Sequence, residues 1–337
     1  MSSSRRPLAS VALALLSATA ILASARAAGE SREMQIPGPA GLLAGTLLTP
    51  DETEGDAAPP LVLIVPGSGP TDRDGNSPAG IRAATYRLLA EGLAERGLAS
   101  LRIDKRGMFG SAAAVEDVDA VTVSDYAADV RNWTRAARET TDSDCVTVLG
   151  HSEGALMALV AAGESEAPEE AFCALILVGS PGRPLGDILR QQLAGNEAFA
   201  SLREEAERAI ETIENGQRVD GATMSPELFP LFRPSVQDFL IDLFALDPPA
   251  MLADLELPVL IVQGERDLQV SADDAERLAE AGPEATLRLL PEANHVLKSV
   301  PADDRAANVA AYQDPSLPLA DGVVEAIADF VHAQAAR

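Results

Sequence analysis

The chain has 337 residues, enough for a large core and, by length alone, about two domains. Apolar residues make up 47% of it, in short blocks separated by Gly, Pro and charge, which excludes a disordered polymer. The formal net charge of −26 repels phosphate backbones and anionic lipid heads, and so argues against a nucleic-acid partner.

The first segment, "MSSSRRPLASVALALLSATAILASARAAG", carries Arg5 and Arg6, then an apolar stretch, then Ala25-Arg26-Ala27, which fits the A-x-A cleavage rule. Residues 1–28 are therefore expected to be a secretory signal peptide, removed from a protein that is periplasmic or extracellular. The stretch is Ala-rich and short for a bilayer span, so no stable membrane insertion is expected once it is removed. Ser4-Arg5-Arg6 leaves twin-arginine and general export both open.

"EMQIPGPAGLLAGTLLTP", from 33 onward, alternates and turns at Pro37–Gly41, as an antiparallel hairpin would. "LVLIV" at 61–65 is a continuous apolar run, expected of a strand covered on both faces. A helical pattern follows in "TYRLLAEGLAERG", a strand in "LASLRID", and a helix in "TVSDYAADVRNWTRAARETT" with Thr122 or Ser124 as its cap. Next come "VTVLG", a helix, and "ALILVGS"; after a long insertion the order is "VLIVQGE", a short helix from Ala272, "ATLRLLP", and a last helix near Ala320–Ala335.

This alternation predicts an α/β protein: a mostly parallel sheet with helices on both faces. The block 184–253 breaks the rhythm, being helical, acidic in "REEAERAIETIE" and interrupted by prolines. It is expected to be a helical cap inserted between two strands, with 29–183 and 254–337 forming the core. Its most apolar part, "PELFPLFRPSVQDFLIDLF", reads equally as a lid or as the cap's packed underside. The acyl and alcohol preferences are expected to lie in cap side chains. Cys145 and Cys173 each sit at the start of an apolar strand, where a disulfide and two buried thiols are both open readings.

Chemistry enters at "GHSEG", residues 150–154. A serine hydroxyl is a weak nucleophile that needs an adjacent base and must be lifted out of the strand to meet substrate. A strand–turn–helix does this, and Gly150 and Gly154 make room for the turn: the nucleophile elbow, with Ser152 at its tip. The base follows by elimination among three histidines. His151 is next to the serine and should point away from its hydroxyl; His332 lies in the last helix as a solvated residue. His295, in "LPEANHVLK", follows a strand's carboxyl end, where open α/β sheets assemble their sites. The acid that steadies it is Asp267 in "VLIVQGERDLQV", with Glu265 as the competitor in the same loop. Protonated imidazole cannot act as a base, so activity should fall below about pH 6.

The alkoxide formed by attack needs fixed N–H donors. One is the amide of Glu153 at the helix start; the other is expected from "PGSGPTDRDGN", where Gly67 and Gly69 let the backbone approach substrate and Ser68 gives its N–H. Asp72, Arg73, Asp74, Lys105, Arg106 and Glu153 crowd this site. A salt-bridge network holding the oxyanion loop is expected, with Arg73 or Arg106 neutralising Glu153.

In "GSGPTDRDGN", "RIDKRGMFGS", "GHSEG", "GERDLQV" and "NHVLK", the chain resembles the α/β-hydrolase family, in its bacterial esterase and serine-aminopeptidase-like branch. The resemblance spans about residues 60–300 and implies an α/β-hydrolase fold of about eight strands with a helical cap. It also implies a Ser152–Asp267–His295 triad, oxyanion donors at Ser68 and Glu153, and no metal or organic cofactor. Met108-Phe109 depart from the small or valine residue that many relatives place after Lys-Arg-Gly. The expected function is hydrolysis of small carboxylic esters, with short acyl chains, through an acyl-enzyme. Two rivals stay open: an aminopeptidase-like peptidase, which needs an acidic pocket for the substrate ammonium, and a non-catalytic binding protein on the same scaffold.

Overall fold

In the run 61–65 successive side chains feed two different cores, and the whole architecture follows from that alternation. Leu61, Leu63 and Val65 belong to one apolar cluster, Val62 and Ile64 to another, and all five are buried. A strand with both faces covered needs helices on each side. The structure, a computed structural model, describes residues 29–51, 58–302 and 304–336. The expected signal peptide, residues 1–28, lies outside the described residues.

Eight strands form the sheet: β1 (Gly29–Pro37), β2 (Leu42–Pro50), β3 (Leu61–Val65), β4 (Ala99–Ile103), β5 (Val146–His151), β6 (Phe172–Val178), β7 (Val259–Gly264) and β8 (Thr286–Leu290). The helices of the first half are α1 (Thr85–Ala94), α2 (Val123–Thr141), α3 (Glu153–Gly163) and the single turn α4 (Pro168–Ala171). Between β6 and β7 lie α5 (Leu185–Ala194), α6 (Arg203–Glu214), α7 (Phe229–Phe232), α8 (Gln237–Phe244) and α9 (Pro248–Ala253). The last are α10 (Ala272–Ala281), α11 (Arg305–Ala311) and α12 (Val323–Ala335).

The strand order is β1-β2-β4-β3-β5-β6-β7-β8. β2 pairs antiparallel with β1 and β4, and every pairing from β4 through β8 is parallel. The carboxyl ends of β3, β4, β5, β7 and β8 therefore share one edge of the sheet. One face packs on α2, α3 and α10, the other on α1 and α12. This is the α/β-hydrolase fold. Among the described residues no helix is long and apolar enough to cross a membrane.

Local chemistry explains the element ends. Thr122, not Ser124, caps α2: its hydroxyl accepts from the Asp125 amide at 3.1 Å while the Asp125 carboxylate accepts from the Thr122 amide at 3.0 Å. Ser271 and Asp274 repeat this box at α10, and such caps contribute about 1 kcal/mol each. Cys145 and Cys173 form a disulfide with Cα atoms 5.2 Å apart. Val146 pairs with Phe172 but Thr147 with Ala174, so Cys173 is the extra residue of a bulge, turned toward the neighbouring strand.

The helices of 184–253 enclose an apolar cluster of their own, centred on Leu193, Ile210, Ile213, Leu228, Phe232 and Phe244. They meet the sheet-bearing part through Phe239, edge-to-face on Tyr126 of α2 at 5.6 Å, and through Gln192, whose amide donates to the Gln269 carbonyl at 3.0 Å.

Candidate active site

Ser152 sits between β5 and α3 with φ 55° and ψ −123°, a left-handed backbone that L residues avoid. The turn is held by the Ser152 amide, which donates to Val178 of β6 at 2.8 Å. A side chain at Gly150 would collide with Gly154 and Ala155, and one at Gly154 with the carbonyls of Val65 and Pro66. Both glycines are thus required by close approach. The amide of Glu153 opens α3, where the first N–H groups have no helical partner.

Of the two acids after β7, Asp267 meets the histidine: its Oδ2 lies 2.7 Å from His295 Nδ1, and both side chains are buried. Three further donors saturate the carboxylate: the amides of Gln269 at 2.7 Å and Val270 at 3.0 Å, and the Gln263 side chain at 3.2 Å. Glu265 is exposed. His295 is carried by a tight turn in which the Asn294 amide donates to Lys298 at 3.0 Å and the Lys298 amide returns to Asn294 Oδ1 at 2.9 Å. Leu297, at φ 60°, completes the turn. Gly179, at φ 55°, lies beneath the pair; a Cβ there would sit 3.4 Å from the His295 ring.

His151 is the residue whose importance sequence reasoning missed. It is buried, and its two nitrogens have defined partners: Nε2 lies 2.8 Å from the His295 carbonyl and Nδ1 lies 2.9 Å from Tyr86 Oη. A carbonyl only accepts, so Nε2 carries the proton and Nδ1 is bare. Tyr86 then donates to Nδ1 and accepts from the Gly67 amide at 3.0 Å. Burial, helped by the neighbouring His295, lowers the His151 pKa to about 3 and keeps the ring neutral.

A pocket of about 80 Å³ opens beside Ser152, lined by Gly67, Ser68, His151 and His295 together with Ile81, Tyr86, Val296 and Tyr312. None of its lining residues comes from 184–253. Its walls, the loop 66–84 and the segment around Tyr312, are tied together by the Arg82 amide, which donates to the Tyr312 carbonyl at 2.7 Å. Gly67 approaches the serine closely, a Cβ there lying 3.2 Å from Ser152 Cβ. Gly69 is not among the residues that line the pocket; a Cβ there would meet nothing within 4 Å, and its φ of 66° favours glycine.

The charged residues of this loop form a network, but its wiring differs from the expected one. Glu153 pairs with Lys105 at 3.1 Å, and not with Arg73 or Arg106. Arg73 bridges Asp104 at 3.0 Å and Glu33 at 2.7 Å; Arg106 bridges Asp129 at 2.6 Å and Asp125 at 2.7 Å. After β4 ends, the three side chains diverge: Asp104 bonds the loop that carries Arg73, Lys105 the elbow and Arg106 helix α2. Asp104 also accepts from the amides of Arg73 at 2.9 Å and Gly110 at 3.0 Å. The strand-end tripeptide "DKR" was the available signal; the direction of each side chain was not in it.

The sequence profile of the family described as serine aminopeptidase, S33, matches residues 80–299. Esterase EstD of Thermotoga maritima is 30% identical over 221 residues, which are 64% of this chain and 48% of that protein, so the chain spans about half the length of this curated relative. Among solved structures, the ferulic acid-bound Est1E of Butyrivibrio proteoclasticus has a TM-score of 0.56 at 19% identity, covering 90% of this chain and all (100%) of that one. A proline iminopeptidase of Mycobacterium smegmatis has a TM-score of 0.56 at 14% identity, covering 91% and 100%. The structural likenesses carry the fold alone, and they include an esterase and a peptidase. With the profile spanning more than half of its length, the chain belongs to the serine aminopeptidase S33 family of α/β-hydrolases.

Proposed function

We propose that the protein is a serine hydrolase that cleaves small carboxylic esters with short acyl chains. Ser152 Oγ attacks the ester carbonyl carbon and its proton passes to His295, whose Nδ1–H is held by Asp267. The tetrahedral oxyanion lies between the amides of Ser68 and Glu153. Collapse breaks the C–O bond, the alcohol leaves with the proton from His295, and water releases the acid by the same steps in reverse order.

The observation that carries this reading is the 2.7 Å contact of His295 Nδ1 with a saturated, buried Asp267, next to a serine raised on an elbow. It fixes the tautomer a general base needs. The pocket of about 80 Å³ is far below the roughly 300 Å³ at which drug-sized ligand sites begin, which supports a short acyl group. Among the described residues, none that lines that pocket is acidic, so a peptide ammonium would find no counter-charge there, and ester is favoured over aminopeptidase. EstD, an esterase by name, is in line with this. Export is part of the proposal; the leader and the Cys145–Cys173 bridge support it.

p-Nitrophenyl acetate, butyrate and octanoate, assayed beside an aminoacyl p-nitroanilide with wild type and Ser152→Ala, test the reading. Turnover of the short esters, absent in Ser152→Ala, is expected. Turnover of the anilide alone, or ester turnover that survives Ser152→Ala, refutes it.

A further inference from the structure

Gly67 is gripped from both sides. Its amide donates to Tyr86 Oη at 3.0 Å, and its carbonyl accepts from Lys105 Nζ at 2.7 Å. Each grip leads back to a neighbour of the nucleophile. Tyr86 donates to His151, the residue before Ser152; Lys105 is paired with Glu153, the residue after it. The Lys105 and Glu153 side chains are 4% and 7% exposed, so the pair is shielded from competing water. Lys105 also lies 5.5 Å above the Tyr126 ring, which confines the ammonium further.

The Gly67 carbonyl and the Ser68 N–H belong to one planar trans peptide, and so point in opposite directions. Holding the carbonyl on Lys105 aims the Ser68 N–H away from that ammonium. The preceding peptide plane is fixed in the same way by Tyr86. Downstream, the Thr71 hydroxyl donates to the Ser68 carbonyl at 3.0 Å and the Thr71 amide to the Gly69 carbonyl at 2.9 Å, so the grips on Gly67 set the peptide groups before Ser68 and Thr71 those after it.

We propose that Lys105 and Tyr86 are positioning residues that register the Ser68 N–H to the nucleophile, each anchored to one of the two residues flanking Ser152. The inference rests on the esterase reading for its substrate, but not for its geometry. Neither residue touches the reacting atoms; both act through the Gly67 peptide groups. The device ties the oxyanion loop to the elbow, so the two donors that must converge on one oxygen are set by a common frame.

Lys105→Met alone would leave Glu153 buried and unpaired, so the informative variant is the charge-neutral Lys105→Met/Glu153→Gln. Kinetics on a short p-nitrophenyl ester are measured beside inhibition by a short trifluoromethyl ketone. Ser152 Oγ adds to that ketone, the carbonyl electron pair moves to oxygen and the serine proton goes to His295, so the adduct presents an oxyanion to the same donors. The double variant is expected to lose about 10- to 100-fold in kcat with KM within about threefold, the behaviour of a misplaced transition-state contact. Ketone affinity should weaken by the same factor as kcat/KM.

A merely structural ion pair would behave otherwise: neutralising both partners would restore kcat. Wild-type kcat and ketone affinity in the folded double variant overturn the proposal, as does a loss confined to KM. If the double variant does not fold, Tyr86→Phe, which removes one oxygen and no charge, decides between the same outcomes through the same two readouts. If the wild type turns over no ester, the esterase reading falls, and ketone affinity across the variants still decides the clamp.

Discussion

His151 makes a sharp acid-stability prediction. In the unfolded chain its imidazole titrates near the ordinary value of 6.5, whereas in the fold burial lowers it to about 3. Below 6.5 the unfolded state takes up a proton that the folded state refuses, so stability falls with pH through the window from 6.5 down to about 3. Linkage between these two values gives a loss of about 2 kcal/mol by pH 5 and about 3 kcal/mol by pH 4. The direction follows from the bonds: Nε2 must donate to the His295 carbonyl and Nδ1 must accept from Tyr86, and a second ring proton would displace the latter. Urea unfolding of wild type and His151→Gln at pH 7 and at pH 5 isolates this group, because the two proteins differ only there. Wild type should lose about 2 kcal/mol more than the variant between the two values. An unchanged gap would refute the neutral, doubly bonded state of His151.

Other outcomes follow from single contacts. Asp267→Asn keeps the backbone donors on its remaining carbonyl but turns an amide toward His295 Nδ1, reversing the tautomer; kcat should fall about 10³- to 10⁴-fold with little change in circular dichroism. Gly179→Ala should lower stability by about 1 kcal/mol through its positive φ while leaving kcat nearly intact, since its Cβ would meet the His295 ring only at contact distance; thermal melts and ester assays read both. Cys145→Ser/Cys173→Ser opens a 28-residue loop and should cost about 3–4 kcal/mol by chain entropy, measured as a lowered urea midpoint that reductant does not lower further.

Local patterns carried a good deal of this protein. The fully apolar 61–65 run and its counterparts implied a sheet covered on both faces, because burial of a strand on two sides leaves no polar positions. The elbow at 150–154 was legible because its requirements are local: a left-handed serine and two glycines within five residues. His295 stood out by its place after a strand, a consequence of parallel topology.

Tertiary structure alone decided which side chains meet. The bridge between Cys145 and Cys173 and the partner of Glu153 depend on register between elements far apart in the chain. Lys105, Arg73 and Arg106 carry the same charge, and composition gives no means to choose among them; the packing of their loops in the fold does. The pocket wall at Ile81 and Tyr312, and the role of His151 as a hub between Tyr86 and His295, arise from loops that meet only after folding. Periodicity records which face of an element is buried, whereas a polar contact at 2.7 Å is set by two such elements at once, and only the folded chain brings them together.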